Sequence, residues 1–196
     1  MTATVIRDLF GPEITDRFRT YLDEVVPISS RGRDDLFSRE WIHNPEMFRI
    51  VHIQLADFAS EIFGERVKPS YCFLSLYGEK GICPIHIDRP QCRYTIDYLI
   101  AQDGTEPWPI YISDPLSETV REEVFAKIDP TTQPTEDQHQ AIYDYGSGWT
   151  EYLLQPNDAV CYSGTHSIHY RDRIRSRSAS LIFWHFVPEA FDGSLA

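Results

Sequence analysis

Positive charge is scarce in this chain: 18 Lys and Arg stand against 30 Asp and Glu in 196 residues, a formal net charge of −12. Phosphate neutralisation needs Lys and Arg, so no nucleic-acid partner is expected. No apolar run approaches the roughly 20 residues that a bilayer requires, so no membrane span is expected either. Met1 to Asp8 contain no basic segment followed by an apolar one, which argues against a signal peptide. The 4 cysteines (Cys72, Cys83, Cys92 and Cys161) include no C-x-x-C pair. That excludes a zinc ribbon or vicinal dithiol and points to reduced thiols in a cytoplasmic protein. There is no internal repeat. Neither Ser163-Gly164 nor Gly146-Ser147-Gly148 makes a nucleophile elbow, so an α/β-hydrolase has no support. What is present, 42% hydrophobic residues and 13% aromatics, suffices for one folded domain spanning 1–196.

Helical periodicity comes first. Pro12 follows Gly11 as a first helical residue, and Ile14, Phe18, Tyr21, Leu22 and Val25 recur at helical spacing until Pro27. Ser29 to Ser38 reads as a polar, basic loop. Asn44 and Pro45 predict the cap and first residue of a second helix. Its stripe is Phe48, Val51, Leu55, Phe58 and Ile62, and Gly64 ends it. His52, beside that stripe, reads as structural. Short β-rich runs then follow: 70–77, 93–101, 109–113, 159–162, 166–171 and 179–187. Helices followed by strands predict an α+β fold, with residues 1–65 as helical support on one face of a sandwich or small barrel over 66–188. The 114–148 excursion breaks the strand pattern, with a short helix expected near 120–128. It is either a lid or binding loop, or a tolerated insertion.

One pair of residues carries more chemistry than the rest. His86 and Asp88 are two apart, so on an extended strand they share a face. With His169 they form a 2-His-1-carboxylate set, which suits Fe(II) and leaves coordination positions open. The spacing alone is common: 7 His and 30 acidic residues supply about one H-x-D/E by chance. The surroundings add specificity. These are Tyr77 through the Gly78–Gly81 turn to His86, Asp88 and Pro90; the strand from Cys92 through Thr95 to Leu99; and the turn and strand from Leu154 through Gly164 to His169 and Arg171.

In these segments, and in their order, the chain resembles the Fe(II)/2-oxoglutarate-dependent dioxygenases, especially the prolyl-hydroxylase-like branch. The resemblance covers roughly residues 65–188. It implies a double-stranded β-helix (jelly roll) core. It implies an oxidoreductase using Fe(II), 2-oxoglutarate and O₂ that hydroxylates a C–H bond and releases succinate and CO₂. His86, Asp88 and His169 would be the metal ligands. Tyr77, Thr95 and Tyr98 would contact the co-substrate. An acid at position 88 favours hydroxylation over halogenation.

The chain departs from the family at one point. Where an Arg or Lys usually opens the last strand and binds the distal carboxylate of 2-oxoglutarate, this sequence has Ser178. Arg171, two residues after His169 and so on its face, is the first substitute; Arg177 and then Arg93 follow. Arg173 and Arg175 read as a solvated turn. His166, three residues before His169, faces away from it, and His185 is expected to face away from the metal with Trp184 facing in. The substrate expected is an amino acid, a peptidyl residue or a small metabolite. Arg31, Arg33 and Arg39 are available to an anionic group. Two other readings stay open: a cupin-like metalloenzyme that does not use 2-oxoglutarate, and a non-catalytic jelly-roll binding module. The sequence leaves the oligomeric state open.

Overall fold

The computed structural model describes residues 1–129 and 132–195. Pro130 and Thr131, at the start of the polar stretch expected before Gln140, lie outside the described residues. The chain forms two antiparallel sheets with helices on their outer faces. The larger sheet has seven strands. Four are central: β4 (Val67–Tyr77), β6 (Tyr94–Asp103), β9 (Ala159–Tyr162) and β11 (Ser178–Pro188). Strand β1 (Thr4–Ile6) closes one edge beside β9, and the hairpin β2 (Gly32–Asp34) and β3 (Arg39–His43) closes the other beside β4. The smaller sheet runs β5 (Cys83–His86), β10 (His169–Arg171), β7 (Ile110–Ile112) and β8 (Thr150–Tyr152).

The helices cover the large sheet. Helix α1 (Pro12–Thr20) begins at its proline, as its sequence predicts, and relaxes through a wider π turn over Tyr21–Val25. The second predicted helix is two, α2 (Glu46–Gln54) and α3 (Ala56–Phe63), broken at Leu55 and ended by Gly64 at φ +74°. Asn44 is not the cap. It takes a left-handed φ of +50°, and its Oδ1 accepts from the Cys72 amide at 2.9 Å, which ties the corner to β4. Phe18, Phe48, Ala59 and Phe63 pack on Ile96, Tyr98, Trp184 and Phe186 of the sheet. Burial of such side chains contributes about 1.5–3 kcal/mol each and fixes which face of β6 and β11 looks outward.

The opposite face of the large sheet meets the small sheet. Leu99, Val160, Tyr162, Ala179 and Leu181 pack there against Ile110 and Ile112. The expected loop at 29–38 is partly the β2–β3 hairpin, with Gly32 opposite Trp41. The 114–148 excursion contains the expected helix, α4 (Glu118–Phe125), and an unexpected one, α5 (Glu136–Tyr143), which Thr135 and Gln138 cap reciprocally. It is not a free insertion: Val124 and Ile142 are buried against Ile85, Ile87 and Ile168 on the outer face of the small sheet.

Candidate metal centre

The topology sets His86 and His169 directly opposite each other on β5 and β10. Strand β5 ends at His86, so Asp88 stands in the loop beyond it, held by its amide donating to the Gly164 carbonyl at 2.8 Å. The ligand atoms converge: His86 Nε2 lies 3.5 Å and His169 Nε2 3.8 Å from Asp88 Oδ1. Both imidazoles turn their other nitrogen to a backbone carbonyl, Nδ1 of His86 to Pro84 at 2.7 Å and Nδ1 of His169 to Ser167 at 2.9 Å. Nδ1–H therefore donates to those carbonyls and leaves the Nε2 lone pairs for a metal, the usual orientation of a ligating histidine.

Charge supports the same geometry. Burial holds His169 neutral, its pKa lowered to about 4, with His86 beside it acting in the same direction. Neutral imidazole is the form that binds a metal. Burial alone would raise the Asp88 carboxyl, but the two histidines outweigh it and hold it well below the usual carboxylate range. Thr95 Oγ1 donates to Asp88 Oδ2 at 3.2 Å, so Thr95 positions the carboxylate. Gly164 runs so close to Asp88 that any Cβ there would overlap the carboxylate. A second cluster, Asp88 with Cys92 and His185, suits a metal less well. The Cys92 thiol meets the Tyr71 hydroxyl at 2.8 Å, and burial pushes its pKa well up, which disfavours the thiolate a metal needs.

Two cavities meet at His86 and Asp88, and His169 lines the inner one. The inner one, about 190 Å³ between the sheets, is bordered by Tyr77, Asp97, Tyr162 and Arg171. The outer one, about 650 Å³, is walled by Phe37, Tyr71 and Ile87 and by Phe125, Ile128 and Ile142 of the 114–148 segment. Arg39, His86, Asp88 and Arg89 border both.

The residues expected at the site divide sharply. His86, Asp88, His169, Tyr77, Thr95 and Arg171 are brought together between the sheets. Arg171 arrives already paired: Nη2 donates to Asp97 Oδ2 at 2.7 Å and Nη1 to the Trp108 carbonyl at 2.6 Å. Tyr98 is not at the site. It lies on the helix-facing side of β6, with its hydroxyl donating to Asn157 Oδ1 at 2.9 Å. Arg177 is also absent; its side chain is 74% exposed and pairs with Asp103. Arg93 meets Thr165 and His166 instead, and His166 bonds Glu118. The expected facing of β11 is reversed. Trp184 points into the helical core, and its indole donates to the Phe48 carbonyl at 3.0 Å. His185 points inward, with its Nδ1 3.1 Å from Thr95 Oγ1. His52 is structural as expected: buried, with Nε2 bonded to the His185 carbonyl at 2.9 Å. Asp97, Tyr162 and His185 border the inner cavity although no role there was expected of them, and Arg39, expected to be available to an anionic group, borders it too. The signal for Asp97 was its place beside Thr95 in a polar pair alternating with Tyr94, Ile96 and Tyr98.

No protein-family model matches the chain, and no curated protein matches it in sequence. Solved structures match its fold. The crystal structure of HygX from Streptomyces hygroscopicus, with nickel, 2-oxoglutarate and hygromycin B bound, superposes with a TM-score of 0.65 at 9% identity, over 96% of this chain and 84% of that one. The non-heme alpha-ketoglutarate-dependent carbocyclase SnoK from nogalamycin biosynthesis gives 0.65 at 12% identity, over 97% and 84%. A prolyl-4-hydroxylase from Pseudomonas putida gives 0.60 at 9% identity, over 96% and 93%.

Proposed function

We propose that this protein is an Fe(II)- and 2-oxoglutarate-dependent oxygenase that hydroxylates an unactivated C–H bond of an amino acid, a peptidyl residue or a small metabolite. The observation that carries the reading is the convergence of His86 Nε2, His169 Nε2 and Asp88 Oδ1 at the junction of a small polar cavity and a larger apolar one. On this reading the two sheets are the halves of a double-stranded β-helix, and the chain acts as one domain. The solved structures of this fold include 2-oxoglutarate-dependent proteins, which supports the same reading. When bound, the metal and co-substrate would supply the O₂ chemistry and release succinate and CO₂.

The protein's own tasks follow from its side chains. His86, Asp88 and His169 would hold the metal, and three protein ligands would leave it able to take a co-substrate. Thr95 fixes the Asp88 carboxylate. Tyr77, buried at the inner cavity, presents its hydroxyl to the co-substrate. The apolar outer walls seat the substrate beside the metal and limit water around the reacting centre. No helix is long and apolar enough to cross a membrane among the described residues.

The test is 2-oxoglutarate turnover. Protein supplied with Fe(II), O₂ and ascorbate, whose two electrons reduce the second oxygen atom to water when no substrate is present, should convert 2-oxoglutarate slowly to succinate and CO₂, and Asp88→Ala should abolish it. Equal succinate formation by Asp88→Ala would refute the assignment. One observation favours a second reading, a metalloenzyme that does not use 2-oxoglutarate: Asp97 already neutralises Arg171. Metal binding with no response to 2-oxoglutarate would select that reading.

A further inference from the structure

We infer that Arg39, with the Tyr77 hydroxyl beside it, anchors the distal carboxylate of the 2-oxo acid; this rests on the function proposed above. The inner cavity needs a cation for a dicarboxylate, and the three expected candidates are engaged elsewhere. The two terminal nitrogens of Arg171 are committed to Asp97 and to the Trp108 carbonyl, with both charged side chains almost fully buried. Its charge is countered by Asp97, and each terminal nitrogen already has an acceptor. Arg177 is at the surface, and Arg93 is held at His166.

Arg39 differs from them in three ways. Its strand brings it there: Arg39 on β3 lies opposite Tyr77 on β4, which lies opposite Ala179 on β11. Cross-strand partners share a face, so Arg39 projects to the same inner face as Tyr77, level with the start of the last strand. The side chain is also held in place by rings, its Cζ lying 5.5 Å from the Phe73 centroid and 5.8 Å from that of Tyr77. Finally, its hydrogen bonding is incomplete. Nη2 reaches Asp34 Oδ2 only at 3.3 Å, Nη1 reaches the Tyr77 hydroxyl only at 3.5 Å, and Nε is buried with no acceptor. A buried guanidinium donor without an acceptor is destabilising, and a carboxylate is the acceptor whose geometry matches the fork. Tyr77 leaves its hydroxyl proton free to donate to the same carboxylate, because the contact with Arg39 uses the oxygen as acceptor.

The experiment compares two 2-oxo acids on the Fe(II)-loaded protein without oxygen, by calorimetric titration. One is 2-oxoglutarate. The other is 2-oxobutyrate, which keeps the chelating end and lacks the second carboxylate. The wild type should prefer 2-oxoglutarate strongly. Arg39→Gln should weaken 2-oxoglutarate by roughly ten- to a hundredfold and leave 2-oxobutyrate unchanged, so that the preference collapses. Arg39→Lys keeps the charge but not the fork and should lose part of the preference; it decides the matter if Arg39→Gln does not fold. An undiminished preference in these variants overturns the inference, and so does an equal loss of both acids. Binding of neither acid by the wild type would instead remove the proposed function, and this anchor with it.

Discussion

At the scale of single residues, Gly164 and Trp184 show two different kinds of constraint. Gly164 has no room for a Cβ beside Asp88. Gly164→Ala should displace the carboxylate and weaken Fe(II) binding at least tenfold while the fold survives, as metal titration alongside circular dichroism will show. Unchanged affinity would mean that the loop yields freely. Trp184 is fully buried under the helices. Trp184→Ala should destabilise the protein by about 3–5 kcal/mol in urea unfolding; a loss under 1 kcal/mol would contradict the packing described. The clustering of His86, Asp88 and His169 was legible in the sequence, because the two-residue spacing keeps Asp88 beside His86 even though Asp88 stands past the end of β5. The facing of Tyr98 and His185 was not. Strands β6 and β11 are covered on both faces, by helices and by the second sheet, so aromatic residues fit either side and periodicity does not say which. Polar residues held the better clue, since Thr95 and Asp97 on a buried strand need partners, and those partners sit at the cavity.

At the scale of elements, the 114–148 segment is cover as well as wall. Its ends are neighbours, because β7 and β8 pair with Ile112 opposite Thr150. Its helices bury Val124 and Ile142 on the small sheet and also line the outer cavity. Ile142→Asp places an unpaired charge in that contact. Limited proteolysis should then cut within 117–145 several times faster, while Fe(II) affinity stays near wild type; resistance equal to wild type would show that α5 is not held this way. The sequence signalled α4 through its apolar spacing. It concealed α5, whose exposed turns carry Glu136, Asp137 and Gln140 and whose buried face is little more than Ile142. The β2–β3 hairpin was concealed for a similar reason. Gly32, Arg33 and Asp34 sit at a sheet edge, where no apolar alternation is required.

At the scale of the whole molecule, acid should loosen the fold through histidines kept neutral by burial. Burial lowers the pKa of His52 to about 3, against an ordinary value of 6.5. Between those values the unfolded chain takes up a proton that the folded protein refuses, so stability falls as pH falls through this window. One such group contributes a slope of up to about 1.4 kcal/mol per pH unit. His52→Asn should lower stability at pH 7 and flatten the slope of unfolding free energy between pH 6.5 and 4.5. An unaltered slope would show that His52 is not the group responsible. The central claim concerns the place where the two sheets meet, and one spectrum addresses it most directly. The protein is mixed with Fe(II) and 2-oxoglutarate in the absence of O₂, and the visible absorption is recorded. A weak charge-transfer band that requires both additions, and disappears in Asp88→Ala, is the expected result. Stoichiometric Fe(II) binding with no band on adding 2-oxoglutarate would contradict the proposed function and leave a metal site without its co-substrate.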